Sequence, residues 1–441
     1  MTDWQEEYKK KIVPAETAAS LVKSGDRVAF TLGREALAVG LALAARKDEL
    51  KDVHILDPFP GYDFGWYDPG WEDSFEITIW MPTALSQQMM DERRCHLEVS
   101  DMLARSFFNG ELGDALDVVI TEVSSPDNKG FCSFGASLWN KRRHIKKAKL
   151  VIAEVNPNLI RTYGDNYVHV SEIDYFVEHA HSGATPGLGS LAGRALKELQ
   201  PHLKDICGYV SEIIKDGDTV QIGVGRTTEP LVRLGLIDGK HDLGWHSEAT
   251  PPGVIALVKE GVINGSRKTL HPGKVVVTSI GGSTTEEMNW VHENPLFWLV
   301  DVEYLYRTVA LNDNMVTINN AVVIDLGGQI SAESIGTRII SAAGGQPAFV
   351  YGALCAKGGR AVTVIPSVAR SGDHLVSRIV PVLEPGTTVT IPRWGADIIV
   401  TEYGVAHLRG KSLRARAEEL ITVAHPDFRA ELKKAARKLG P

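Results

Sequence analysis

One carboxylate stands out as a reactive group. In His241-Asp242-Leu243-Gly244-Trp245-His246-Ser247-Glu248-Ala249-Thr250-Pro251-Pro252-Gly253, Glu248 closes a short apolar, strand-like run. The loop after it is stiffened by two prolines and broken by a glycine. Ligand chemistry in open α/β sheets collects at the carboxyl ends of strands, where a carboxylate can serve as nucleophile. The plainer alternative is an acid favoured by the dipole at a helix N-terminus. A second feature is Gly223-Val224-Gly225-Arg226-Thr227, a glycine turn between a strand and a helix. Its backbone N–H groups can hold an anion or an oxyanion, though it lacks the spacing of a dinucleotide fingerprint. Gly344-Gly345-Gln346 and Gly358-Gly359 flank an apolar stretch, Phe349 to Cys355. Such glycines let a ligand approach backbone closely, or let a helix pack tightly on a strand.

The composition removes several other chemistries. The fourteen histidines show no ligand spacing, and the four cysteines, at 95, 132, 207 and 355, form no Cys-x-x-Cys pair. No metal site is expected. Widely spaced cysteines suit a reducing compartment, and the polar N-terminus is unlike a signal peptide, so a cytoplasmic location is expected. A net charge of −8 argues against nucleic acid or an anionic membrane as partner. No run approaches the roughly 20 apolar residues of a membrane span.

The elements that must position Glu248 come in two copies. Ala18 to Val28, with its Lys23-Ser24-Gly25-Asp26 turn, resembles Val210 to Val220, with Lys215-Asp216-Gly217-Asp218, at an offset of 192. The same offset lays Gly33-Arg34 on Gly225-Arg226, His54 on His246, Pro60 on Pro252 and Gly61 on Gly253. Glu248 falls on Leu56, so the scaffold is duplicated and the carboxylate is not. A second similarity, at an offset of 280, relates Asp117–Glu122 to Asp397–Glu402 and Gly130 to Gly410.

At 441 residues, two domains are expected. Their boundaries are 1–200 and 201–441, with the Gly/Ala/Pro-rich stretch 182–193 as linker. Strand–helix–strand spacing predicts two related open α/β domains with mostly parallel sheets. Strands are expected at 27–32, 54–56, 118–121, 150–155, 219–222 and 361–365. Helices are expected at 5–24, 35–47, 84–107, 136–146, 204–215 and 412–439. The loop 57–80 crowds eight aromatic residues, from Phe59 to Trp80. They either line a ligand cleft or pack the loop onto its own domain.

Taken together, these blocks resemble the acetyl-CoA hydrolase/transferase family, which includes 4-hydroxybutyrate and butyrate:acetate CoA-transferases. The resemblance covers most of the chain. It rests on Ser125-Pro126-Asp127 with Gly130-Phe131-Cys132-Ser133-Phe134-Gly135, on Leu243-Gly244-Trp245-His246-Ser247-Glu248, and on Gly344-Gly345-Gln346. It continues through Val400-Thr401-Glu402-Tyr403-Gly404-Val405-Ala406 and Leu408-Arg409-Gly410 to Ala424-His425-Pro426-Asp427-Phe428-Arg429. The resemblance implies a duplicated CoA-transferase fold with its site between the two domains. It implies Glu248 as nucleophile, forming an anhydride with the acyl group and then a glutamyl-CoA thioester. CoA-binding positions are implied at Gly223, Val224, Gly225, Arg226, Thr227, Gly344, Gly345, Gln346 and Lys357. Acyl-CoA and a small carboxylate would be substrates, with no permanently bound cofactor, and the protein a homodimer or higher homo-oligomer.

The departures cluster around the acyl pocket. Pro252-Gly253 replaces the family's Asp-Gly, and Ala348 stands where an acid is usual. Tyr304-Leu305-Tyr306 takes the place of an Asn-x-Pro, removing an expected oxyanion-side donor. These changes keep a hydrolase open as the alternative to a transferase, acting on a thioester or on a CoA-bound ring ketone. An acyl-CoA-binding module without turnover is the non-enzymatic rival. Arg34 or Arg226, if it faced the acyl group, would favour a dicarboxylate.

Overall fold

The computed structural model describes residues 3–33, 35–99, 116–179, 200–281 and 284–439. Two compact units emerge: Met1–Arg194 with Val277–Tyr304, and Ala195–Val276 with Leu305–Pro441. The second unit is therefore discontinuous, unlike a 201–441 block, because Val277–Tyr304 groups with the first. The 182–193 linker lies outside the described residues.

The first unit holds β1 (Arg27–Phe30), β2 (Val53–Leu56), β3 (Phe75–Ile79), β4 (His96–Leu97), β5 (Leu116–Val123), β6 (Ala148–Val155) and β7 (Tyr175–Glu178). They pair in the order β7-β6-β5-β1-β2-β3-β4, all parallel. The chain winds one way from β1 and then starts again on its other side, the doubly wound pattern. Its strands read as apolar runs because both faces are covered.

In the second unit, β8 (Thr219–Ile222), β9 (Gly244–Ser247), β10 (Met315–Asn320), β11 (Arg360–Val364), β12 (Ile398–Thr401) and β13 (Gly404–His407) pair in the order β13-β12-β11-β10-β8-β9. Only the β12–β13 pairing among these is antiparallel. The order reverses between β8 and β10, which makes their carboxyl ends the natural ligand crevice of this unit.

The first repeat is real. β8 starts and ends 192 residues after β1. Gly25 (φ +81°) and Gly217 (φ +78°) turn the chain before each strand, in a conformation that costs glycine little. In each turn the aspartate accepts from the lysine N–H, Asp26 from Lys23 at 2.7 Å and Asp218 from Lys215 at 2.6 Å. The equivalence then slips by two residues. His54 N donates to Asp26 O and Gly244 N to Asp218 O, an offset of 190. Pro58, not Leu56, thus occupies the place of Glu248, and the nearest carboxylate, Asp57, stands one position earlier.

The second similarity is a correction. β5 and β10 are the equivalent strands, each beside the first strand of its unit, whereas β12 lies fourth and matches β7. Asp117–Glu122 and Asp397–Glu402 sit on strands that do not correspond. They look alike because an aspartate at the start of a strand accepts a neighbouring strand's N–H. Asp117 accepts from Arg27, Asp174 from Val151 and Asp397 from Ala361, at 2.8–3.0 Å.

Several helices are shorter than expected. Pro14 divides the first into Trp4–Lys11 and Ala15–Ala19, since the residue before proline avoids helix. Pro426 opens a second helix within 412–439, giving Leu413–Thr422 and Pro426–Ala436. Only Gln87–Asp91 of the 84–107 helix is helical among the described residues, and β4 follows. Residues 35–47 contribute Leu37–Ala44, 136–146 the later Lys141–Lys147, and 204–215 the earlier His202–Ile213.

The aromatic loop is core. Phe64, Trp66, Tyr67 and Phe75 are buried, and Trp66 lies 5.5 Å from Phe30 and 4.6 Å from Phe64 by ring centroid.

Candidate active site

Glu248 is the residue immediately after β9, and the strand leading to it is fully buried. β9 lies beside β8 in parallel, with Thr219 opposite Gly244 and Val220 opposite Trp245. Ser247 Oγ donates to Ile222 O at 3.3 Å, carrying that register to the strand ends. The end of β9, and Glu248 after it, therefore lies alongside the end of β8, where the turn opens at Gly223.

The turn after β8 is packed against the end of β10. Thr228 Oγ1 donates to Gly223 O and accepts from Asn320 Nδ2 at 3.1 Å. Gln221 and Asn319 exchange side-chain hydrogen bonds at 3.0 and 3.2 Å. A Cβ on Gly223 would meet Asn319 Oδ1 at 2.8 Å, and one on Gly225 would meet the Asn320 amide carbon at 3.1 Å. Both glycines are required by this close approach. Val224 and Thr227 are half-buried beside them, and Arg226 is exposed. Arg34 lies outside the described residues.

Tyr306 completes the carboxylate's surroundings. Its hydroxyl donates to Glu248 Oε1. The ring is buried and makes a T-shaped contact with Phe349, at 5.7 Å between centroids and 82° between planes. Gly345 caps the N-terminus of the helix Gln346–Cys355 against both side chains: a Cβ there would stand 2.7 Å from Tyr306 Oη and 2.9 Å from Glu248 Cδ. Gly344 precedes it at φ +53°. Gln346 is buried, and its Nε2 has no hydrogen-bond partner among the described residues, nor does Asn320 Oδ1. Buried polar atoms in native proteins are nearly always paired, so these two fit a polar ligand.

Charge follows from this geometry. Burial pushes the Glu248 carboxyl up to about 6, and the Tyr306 bond pulls the other way. Burial, then the neighbouring carboxylate, raises Tyr306 well above its ordinary value. Near neutral pH the site thus presents a carboxylate and an intact hydroxyl. His246, two residues before Glu248, is fully buried, with Nε2 donating to Leu305 O at 2.9 Å. Burial and then the Lys268 charge lower it to about 3, so it is neutral. Lys268, itself lowered by burial to about 7, donates to Trp245 O at 2.8 Å and Lys274 O at 3.2 Å.

The structure thus brings together Glu248, the Gly223–Thr227 turn and Gly344-Gly345-Gln346. Lys357 is not with them. It follows the far end of the helix that Gly345 starts, about 15 Å along the axis, and its carbonyl accepts from Asn314 just before β10. The apolar helix between the two glycine pairs separates what the sequence pattern groups. Sequence reasoning missed Tyr306, Asn320 and the role of His246. A signal existed for Tyr306, which lies in the segment where the family pattern was lost. Asn319-Asn320 signalled itself only as a polar pair closing an apolar strand.

Residues 1–183 match the acetyl-CoA hydrolase/transferase N-terminal domain, and residues 283–436 match the C-terminal domain. The chain belongs to the acetyl-CoA hydrolase/transferase family. It is 40% identical to 4-hydroxybutyrate coenzyme A transferase of Clostridium kluyveri, over 99% of both chains. It is 35% identical to succinyl-CoA:cyclohexane-1-carboxylate CoA transferase of Geobacter metallireducens, over 99% of this chain and 97% of that one. Among solved structures, RipA from Yersinia pestis superposes with a TM-score of 0.88 at 29% identity, covering 99% of each chain. This family fold agrees with the mostly parallel α/β sheets found in both units. Among the described residues, no helix is long and apolar enough to cross a membrane.

Proposed function

We propose that this family member is a CoA-transferase that moves CoA from an acyl-CoA to a small carboxylic acid through a glutamyl-CoA thioester on Glu248. The observation that carries the reading is the state of Glu248. One oxygen is held by Tyr306, the other accepts no hydrogen bond from any described residue, and the group is ionised near neutral pH. The CoA-transferase names of the relatives support the reaction class. The orphaned Gln346 and Asn320 atoms, at the helix N-terminus and against the glycine turn, are consistent with a polar ligand.

The chemistry follows from covalent catalysis. Glu248 attacks the acyl-CoA carbonyl and displaces CoA thiolate, leaving a mixed anhydride. The thiolate then attacks the glutamyl carbon and releases the first acid. A second carboxylic acid reverses the sequence and leaves as its CoA ester. Acyl-CoA is a substrate here, and no resident cofactor is invoked. Exposure of Arg226 gives no support to a dicarboxylate preference. The reading places the enzyme in the cytoplasm as a homodimer or larger homo-oligomer, testable by cell fractionation and sedimentation.

The deciding experiment incubates the protein with acyl-CoA, reduces with borohydride and maps the modified residue by mass spectrometry. Modification confined to Glu248 is expected. An unmodified Glu248 in a turning-over enzyme refutes the covalent route. Measuring free CoA with and without an acceptor acid separates transferase from hydrolase: a transferase releases CoA slowly and transfers it only when the acceptor is present.

A further inference from the structure

We propose that Tyr306 is a catalytic residue, donating its hydroxyl hydrogen to the Glu248 oxygen that carries negative charge when CoA thiolate adds to the glutamyl carbon, and that His246 is the positioning residue that holds it there. The proposal rests on the glutamyl-thioester reading and assigns a donor that the reading leaves open.

Atom by atom, the exchange distinguishes the two oxygens of Glu248. Oε2, which accepts no bond from a described residue, attacks the thioester carbonyl; the C–S bond breaks and thiolate departs with its electron pair. Oε2 becomes the bridging oxygen of the anhydride. The thiolate then bonds to Cδ, and the carbonyl electron pair moves onto Oε1. Collapse of this adduct breaks the Cδ–Oε2 bond, and the acid leaves with Oε2. Oε1 is therefore the oxyanion of the second addition, and it is the oxygen to which Tyr306 donates. No proton is consumed in the cycle. Burial and the adjacent carboxylate keep the Tyr306 proton on its own oxygen, so it donates without leaving. A preformed donor in a water-poor site is worth most when charge develops on its acceptor.

The surrounding contacts fix the hydroxyl rather than let it search. Phe349 meets the ring in a T-shaped contact, and Gly345, which has no Cβ, lets the helix N-terminus approach the hydroxyl closely. The backbone just before Tyr306 is tied at Leu305 O, which accepts from His246 Nε2 at 2.9 Å and Thr308 Oγ1 at 3.2 Å. His246 sits on β9 two residues from Glu248, so one strand carries both the nucleophile and the tie on its donor. A permanently neutral imidazole suits that role, because its single N–H must point at the carbonyl.

The test compares Tyr306→Phe, His246→Ala and His246→Gln in the full-length protein. Tyr306→Phe is expected to lower kcat by about 10²- to 10³-fold, with KM for acyl-CoA within about threefold, as expected for a donor acting in the transition state. Removing the donor also moves the acid limb of kcat/KM to higher pH, a change that mere loss of packing would not produce. His246→Ala is expected to lose about tenfold in kcat through a misplaced hydroxyl, and His246→Gln, which restores an N–H, to recover most of it. Should Tyr306→Phe not fold, 3-fluorotyrosine at position 306 keeps the shape and strengthens the donor, moving the acid limb to lower pH. A Tyr306→Phe enzyme with kcat within threefold of wild type, or an unmoved acid limb, overturns the proposal. Borohydride trapping on wild-type protein separates the two failures: a labelled Glu248 with a normal Tyr306→Phe enzyme rejects only the donor, whereas no label rejects the covalent reading and the donor with it.

Discussion

Each unit places a tyrosine-bound carboxylate just after its second strand, and the two have different fates. In the first unit Asp57 follows β2 and accepts from Tyr67 at 2.5 Å. In the second Glu248 follows β9 and accepts from Tyr306. Burial pushes both carboxyls up to about 6. Asp57, however, is 1% exposed and faces a second acid, Glu35, which burial and the Asp57 charge push up to about 8. Glu35 in turn accepts from Gly61 N at 2.5 Å. Glu248 is only half-buried, and its second oxygen is uncommitted. A perturbed carboxylate and a tyrosine donor thus do not make a nucleophile by themselves. What sets Glu248 apart, and what the proposed covalent role draws on, is the open oxygen near the helix N-terminus at Gly345.

Mutation can break this comparison at several levels. Glu248→Ala should abolish CoA exchange, by at least about 10⁴-fold in kcat, as loss of a covalent nucleophile does; a direct transfer assay checks it. Next, Gly345→Ala puts a methyl group 2.7 Å from the Tyr306 hydroxyl. Overpacking of that kind costs about 1–3 kcal/mol. With the strain focused on the reacting pair, kcat should fall about 100-fold while the melting transition stays cooperative. A smaller effect is expected in the first unit. Tyr67→Phe leaves a buried carboxylate without its donor, at a cost of about 1–3 kcal/mol in stability above pH 6, with kcat changed less than tenfold. If it silenced the enzyme as Tyr306→Phe should, the contrast between the two acids would collapse.

Two weaker effects sharpen the same contrast. Because the folded-state pKa of Glu248 lies above its ordinary 4.5, folding favours the protonated form. That stability is present below pH 4 and lost as pH rises through about 6. Glu248→Gln should therefore raise the melting temperature at pH 8, by up to about 2 kcal/mol in stability, and leave it unchanged near pH 4. Lys357→Ala should leave kcat within about twofold, since its amine follows the distant end of the Gln346–Cys355 helix.

Much of this arrangement was legible in the sequence, and the gaps have physical causes. The Lys-x-Gly-Asp turns were readable because glycine and aspartate perform fixed backbone tasks there. Glu248 and the glycine turns were readable because strand ends and helix starts advertise themselves in residue type. The two-residue slip between β2 and β9 was not, since parallel register is set by pairing with the first strand and not by spacing along the chain. The match of Asp117 with Asp397 misled because one side-chain task recurs on strands that do not correspond. Tyr306 was invisible as a donor because its partner is 58 residues away. Lys357 was grouped with Gly345 because a sequence pattern carries no length along a helix axis.

The aspartates that clasp neighbouring strands have a wider implication. Asp117, Asp174 and Asp397 all act at the amino-terminal edges of their sheets, whereas Glu248, Gly223 and Asn320 stand at the opposite edge. On the proposed reading, alignment of the strands and the making of bonds fall to separate rims of the same architecture. A laboratory lineage selected for a new acid could redraw one rim while the other keeps the strands in step.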